Sequence, residues 1–139
     1  MQQEQRSFEV RTAGRGLYDI TPQVRQLADQ AGFRTGLVTV FCQHTSASLV
    51  IAENADPSAS TDLLGWLERI APDGDPQYTH DAEGPDDMAA HLRSALTRTS
   101  ESIPIVRTKL ALGTWQGIYL LEHRTSAHSR SFVVHAVGA

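Results

Sequence analysis

The chain has 139 residues, a formal net charge of −4 and a single cysteine, with 40% hydrophobic and 20% charged residues. That length and balance fit one globular domain over 1–139 with its own core and exclude a disordered tail. The acidic total argues against a nucleic-acid wrapper, no apolar run is long enough to span a membrane, and "MQQEQRSFEV" lacks a signal-peptide hydrophobic region, so a cytoplasmic protein is expected.

In chain order, "QRSFEVRT" (5–12) alternates apolar and polar residues and reads as a strand. "DITPQVRQLADQAG" (19–32) reads as a helix, with Thr21 as N-cap, Pro22 in the first turn and Gly32 as the stop. The β-branched runs "GLVTVFCQ" (36–43) and "SLVIAEN" (48–54) are expected to be neighbouring strands joined by the polar "HTSA". Cys42 lies within the first of them and reads as a small core residue. "ADPSASTDLLGWLERIAP" (55–72) predicts a helix capped by Asp56 and opened by Pro57. After the Gly84 break a third helix is expected from Pro85 to about Arg98, with Met88, Leu92, Ala95 and Leu96 on its apolar face. "TKLALGTWQ" (108–116) is mixed and partly loop, while "SIPIVR", "GIYLLEHR" and "SFVVHAV" supply later strands. Strands cluster rather than alternate strictly with helices, so the fold class is α+β, with about three helices and a largely antiparallel β-sheet.

The chemistry concentrates in "HDAEGPDDMAAH" (80–91), where histidines flank four carboxylates. Asp87 and His91 are four apart on one helix face, so the carboxylate can orient the imidazole. His80, in the loop before that helix, and His91 could close on a divalent metal if a third ligand came from elsewhere, and His44 is the best candidate. The spacing is not that of a zincin or a zinc finger, and histidines that are hydrogen-bonded structural residues remain the competing reading. Asp86 and Asp87 also fit the first turn of a helix, where negative charge is favourable without further function. Glu53 and Asn54 sit where a strand ends, and "GTWQG" puts Trp115 and Gln116 between glycines, where they could wall a planar ligand. Thr45, Ser46 and Arg124 offer hydroxyls and charge to an anion, but there is neither a Walker A loop nor a Rossmann fingerprint. Without a G-x-S-x-G elbow, a serine hydrolase built on Ser46 or Ser48 with His44 has little support. Glu122 and Arg124 could be a surface ion pair, and His123, His128 and His135 read as structural or surface residues.

Taken together, "HTSASLVIAENADP", "YTHDAEGPDDMAAHLRSAL", "SIPIV" and "LALGTWQGIYLLEHR" resemble, in the same order, the signature segments of the YjbQ family, described as secondary thiamine-phosphate synthase-like. The resemblance implies a compact α+β subunit assembled as a homotrimer, with a site of histidines and acids near the subunit boundaries that often holds a metal ion. It places the family's histidines on His44, His80 and His91, and its polar site residues on Glu53, Asn54, Asp56, Glu83, Asp87, Trp115, Gln116 and Glu122. Where the family often has proline, this chain has alanine at Ala89 or Ala90, which eases helix formation. The expectation is therefore a divalent ion, zinc first because imidazole suits it, on His44, His80 and His91. Glu53, Asp87 and Glu122 are the expected catalytic carboxylates, and Thr45, Ser46, Asn54, Trp115, Gln116 and Arg124 the expected contacts to a small, phosphorylated ligand. The activity implied is joining a pyrimidine methyl diphosphate to a thiazole phosphate. The alternatives are a non-catalytic metal- or small-anion-binding trimer and a metal-assisted phosphate-ester hydrolase.

Overall fold

The computed structural model describes residues 1–139. In chain order it contains β1 (Gln2–Arg11), β2 (Gly16–Asp19), α1 (Thr21–Ala31), β3 (Thr35–Cys42), β4 (Ala47–Glu53), α2 (Pro57–Ile70), α3 (Asp87–Leu96), β5 (Ser100–Val106), β6 (Lys109–Leu110), β7 (Gln116–Glu122) and β8 (Ser129–Gly138). Every strand pairing is antiparallel. One sheet has five strands in the order β1-β8-β3-β5-β6, and the other has three in the order β2-β7-β4. The expected α+β class with three helices is therefore what the chain forms.

The core lies between the two sheets. Val38 and Val40 of β3, Ile103 and Ile105 of β5, and Phe132 and Val134 of β8 point inward from the larger sheet. Leu49 of β4 and Ile118 and Leu120 of β7 meet them, and Val24, Leu27 and Ala28 of α1 close the cluster. The alternation that puts these residues inside leaves Leu37 and Phe41 of β3 and Val106 of β5 on the outer face, each 40% exposed or more. Register sets Val137 and Pro104 opposite Leu37, and Val133 opposite Phe41, so these apolar side chains cluster on an outer face that also carries Thr39, Ser102 and His135.

Three expectations are corrected. β3 and β4 are not paired neighbours: β3 pairs with β5 and β8, and β4 pairs with β7, so the polar connection between them steps from one sheet to the other. Both strands are apolar enough for central positions, and local sequence does not choose the partner. The N-cap position of α1 is Ile20, which makes no side-chain cap, while Asp19 Oδ1 accepts the Thr21 N–H at 2.9 Å. The buried residues of α3 are Asp87, Ala89, Ala90 and Arg93, whereas Leu92 and Leu96 are 38% and 52% exposed. Arg93 explains the inversion. Its Nε and Nη2 donate to the Ala71 carbonyl at 3.1 and 2.6 Å, tying α3 to the C-terminal end of α2. Two alanines then let the backbone of α3 approach closely. Gly32 stops α1 at φ 67°, the left-handed conformation that glycine adopts without strain, and Asp56 caps α2 by accepting the Ser58 N–H at 2.9 Å.

Candidate metal centre

α3 begins where β7 ends, and the join between them builds the site. Arg124, just beyond β7, donates Nε to Asp86 Oδ2 at 3.0 Å, Nη1 to Asp87 Oδ1 at 2.9 Å and Nη2 to the Glu83 carbonyl at 3.1 Å. The Thr125 N–H and hydroxyl also donate to Asp86 Oδ2, at 2.9 and 3.1 Å. Burial pushes the Asp86 carboxyl up, but the bonds from Arg124 and Thr125 outweigh it and hold the pKa at about 2. The same clamp fixes the α3 N-terminus and the 80–86 loop that carries His80.

Asp87, 1% exposed, is the junction. Its Oδ1 is held by Arg124, so Oδ2 faces His80 Nε2 at 2.7 Å and His91 Nε2 at 3.2 Å. The two imidazoles stand with ring centroids 5.3 Å apart. Burial pushes the Asp87 carboxyl up, yet hydrogen bonding from His80 and the charges of His91 and Arg124 hold it below the usual carboxylate range. One ligand atom from each of His80, Asp87 and His91 lies within 4.8 Å of the other two.

Proton placement decides what this cluster can do. His91 Nδ1 lies 2.9 Å from the Thr45 carbonyl, which can only accept, so Nδ1 carries a proton. In a neutral imidazole Nε2 is then a bare lone pair, and it faces a carboxylate oxygen that is also an acceptor. Two acceptors at 3.2 Å need a positive species to join them, either a second imidazole proton or a cation. A backbone carbonyl behind one imidazole and a guanidinium behind the carboxylate are the supports that orient metal ligands. The donor set of two imidazoles and one carboxylate fits zinc, and also iron, nickel or copper.

Other expected site residues fall into separate groups. His44 does not join the cluster: its Nε2 accepts the Ser131 N–H at 2.7 Å. Burial first, then the Arg130 charge, lowers its pKa and favours the neutral ring. It does share with His91, Thr45, Ser94 and Thr99 the wall of an open hollow of about 360 Å³. Thr45 contributes its carbonyl rather than its hydroxyl, and Ser46 Oγ accepts from Arg130 Nη2 at 3.0 Å. Glu122 is fully buried and accepts from Arg130 Nε at 2.8 Å, Thr12 Oγ1 at 2.7 Å and the Arg124 N–H at 3.1 Å. That carboxylate is saturated inside the fold and closed to a ligand.

Glu53, Asn54, Trp115 and Gln116 stand elsewhere. Glu53 pairs with Gln116 at one end of the β4–β7 ladder, whereas Glu122 pairs with Ala47 at the other, beside Arg124 and the histidines. Six strand steps separate the two ends, roughly 20 Å at the usual rise. Asn54 Nδ2 donates to the Thr114 carbonyl at 3.3 Å, Gln116 Oε1 accepts the Gly113 N–H at 2.8 Å, and Trp115 is 64% exposed. Sequence reasoning missed Asp86 and Thr125 as site supports and gave Arg124 to the ligand instead of the two aspartates. The Asp-Asp pair was visible as a signal, but nothing in the spacing links residues 86 and 87 with 124.

Comparison with known proteins agrees with this architecture. The family described as UPF0047 protein YjbQ-like matches residues 6–139. A UPF0047 protein of Synechocystis sp. is 48% identical over 136 residues, covering 98% of this chain and 92% of its own. The UPF0047 protein YjbQ of Escherichia coli O157:H7 is 38% identical, covering 96% of this chain and 97% of its own. Among solved structures, a hypothetical protein from Aeropyrum pernix K1 superposes with a TM-score of 0.89 at 29% identity, covering 98% of this chain and 99% of that one. An uncharacterised YjbQ/UPF0047 protein from Clostridium acetobutylicum gives 0.84 at 36% identity, covering 92% and 96%.

Proposed function

This chain belongs to the UPF0047 YjbQ-like family, and on that premise we propose that it binds one divalent ion, zinc first, through His80, Asp87 and His91. The observation that carries the reading is the contact between His91 Nε2 and Asp87 Oδ2, made while His91 Nδ1 is committed to the Thr45 carbonyl. His44 shares a neighbouring hollow with His91 and Thr45, and its ring is not among the ligands proposed here. Elemental analysis after chelation and reloading tests this. Wild type should hold about one ion per chain, and His80→Ala with His91→Ala should lose it. Equal content in wild type and the double variant refutes the reading, and the His44→Ala result shows whether that ring also contributes.

The activity we propose for the loaded protein is thiamine-phosphate synthase chemistry. The C–O bond to the diphosphate breaks, pyrophosphate leaves with the electron pair, and the thiazole nitrogen forms the new C–N bond. A divalent ion supplies neutralisation of the leaving group when bound. Metal-loaded protein should form thiamine phosphate above a His91→Ala control, and equal background rates exclude it. A specific observation favours the non-catalytic alternative, a metal-binding protein without this turnover. Arg124 is engaged by Asp86, Asp87 and Glu83, and Arg130 by Glu122, so neither guanidinium near the cluster is free for a phosphate.

We propose a homotrimer as the assembly. The support for it is that Leu37, Phe41 and Val106 on the outer sheet face, and Leu92 and Leu96 on α3, are exposed apolar side chains that a second copy could cover. Light scattering should give about three times 15.2 kDa, and a 15.2 kDa particle at every concentration refutes it.

A further inference from the structure

At the far end of the β4–β7 ladder lies a second hollow of about 400 Å³, walled by Glu53, Asp56, Pro57, Ser60, Leu64 and Tyr119. Within one chain it lies apart from the histidine cluster, and no metal is needed to form it. Tyr119 is only 9% exposed, and its hydroxyl makes no hydrogen bond within the chain. Its ring lies over Gly117, where an added Cβ would come within 2.8 Å of Cε2 and 3.0 Å of the hydroxyl oxygen. A glycine is thus required to seat the ring there. The hydroxyl is not sealed inside the fold but opens on the wall of the hollow, where it can donate to or accept from whatever occupies it.

The rest of the wall specifies what the partner is. Glu53 accepts the Ala55 and Asp56 N–H groups through Oε2, at 3.0 and 2.9 Å, which leaves Oε1 unpartnered. Asp56 accepts the Ser58 N–H through Oδ1 and also hydrogen-bonds the Ser58 side chain, and its carboxylate stays exposed on the rim of the hollow. Burial first, and then the nearby Asp19 and Glu53 charges, push the Tyr119 hydroxyl up, so it stays protonated and the hollow stays negative in sum. Neither arginine nor lysine lines it. A fully hydrated inorganic cation has no use for the carbon surface of Pro57, Leu64 and the tyrosine ring. A ligand with a positive nitrogen and an apolar body uses both halves of the wall, including the ring face.

We propose that this hollow is a binding site for a small organic cation, a primary ammonium or amidinium on an apolar skeleton, held by Glu53, Asp56 and Tyr119.

The test uses full-length protein stripped of metal with chelator, followed by amide NMR at constant ionic strength. Benzylammonium is titrated, with benzyl alcohol, phenylacetate and calcium chloride as separate arms. Benzylammonium should give saturable shifts at the amides of residues 53–61 and at Tyr119, benzyl alcohol and phenylacetate should not, and His91→Ala protein should behave as wild type. Glu53→Gln, which can still accept the Ala55 and Asp56 N–H groups, should weaken binding about tenfold, and Tyr119→Phe about threefold. Unshifted resonances elsewhere show that each variant is folded. Absence of saturable shifts, equal shifts from benzyl alcohol, or unchanged affinity in both variants overturns the proposal. Calcium that moves the same amides and displaces benzylammonium also overturns it, making the hollow an inorganic-cation site. Because the histidine cluster is not needed for any arm, failure here leaves the metal reading standing, and failure there leaves this one.

Discussion

Replacing His123 with glutamine should flatten the loss of stability on mild acidification. His123 is 1% exposed, and its Nε2 lies 2.8 Å from Ser48 Oγ. Burial, followed by the Arg93 charge, lowers its pKa to about 3 from the ordinary 6.5. A base whose folded pKa is depressed binds its proton first in the unfolded chain. Stability therefore falls as pH drops below 6.5 and levels off near 3. Between pH 7 and pH 5 the unfolded imidazole gains about 2 kcal/mol of protonation free energy that the folded one does not, for each chain. Glutamine keeps a hydrogen-bonding group beside Ser48 and removes the titration. Urea unfolding at both pH values, with chelator present and at fixed protein concentration, should show a fall about 2 kcal/mol larger in wild type than in His123→Gln, which keeps the contribution of His44, whose pKa burial also lowers. The carboxylates of Asp86, Asp87 and Glu122 are all held below their usual range, so they titrate outside this window. An equal fall in both proteins, or a His123 ring proton that titrates near neutrality in the folded state, refutes the reasoning.

Arg124→Ala should lower zinc affinity by about 10- to 100-fold, the usual effect of removing a support behind a ligand, as read by competition with a chelating dye. It should also destabilise by roughly 3 kcal/mol, because it strands Asp86 and Asp87 together, while Arg124→Lys restores charge but not the three-way fork and falls between. Unaltered metal affinity in Arg124→Ala would remove Arg124 from the site. Trp115→Ala should cost under about 1 kcal/mol in urea unfolding, since Trp115 is 64% exposed, whereas a buried aromatic costs roughly 3–5.

What the sequence made legible follows from how local each cause is. Pro22, Gly32, Asp56 and Pro57 act within one turn of where they stand, and they placed α1 and α2 to within a few residues. Strand partnership is not local: nothing in "GLVTVFCQ" or "SLVIAEN" says that the first joins β5 and β8 while the second joins β7. The face of α3 was misread because hydrophobic spacing assumes that apolar residues turn inward. Here Asp87 and Arg93 turn inward, each with partners waiting, and Leu92 and Leu96 face out. The candidate site shows the same limit. His80, Asp87 and His91 were legible because seven and four residues separate them from one another across one loop and one helix turn. Glu53 and Asn54 were read as site residues because a strand ends there, and Trp115 and Gln116 because glycines flank them; within one chain they stand at the end of the β4–β7 ladder opposite the histidines, a separation that linear sequence does not reveal.

Charge balance around Asp86 and Asp87 leads to the last prediction. Two adjacent carboxylates, 7% and 1% exposed, share one guanidinium, so the cluster carries one uncompensated negative charge when both imidazoles are neutral. Burying an unpaired carboxylate costs several kcal/mol, and the geometry already shows where the compensation enters, between Asp87 Oδ2 and His91 Nε2. A divalent ion placed there takes up that charge. Zinc should therefore bind wild type more tightly than Asp87→Asn, which keeps the shape but removes the charge that faces both imidazoles, and the difference should be about 10- to 100-fold by calorimetry at one pH on protein first stripped with chelator. Zinc that binds wild type and Asp87→Asn with the same affinity would mean that the ion sits elsewhere and that the His91–Asp87 contact is only a structural hydrogen bond.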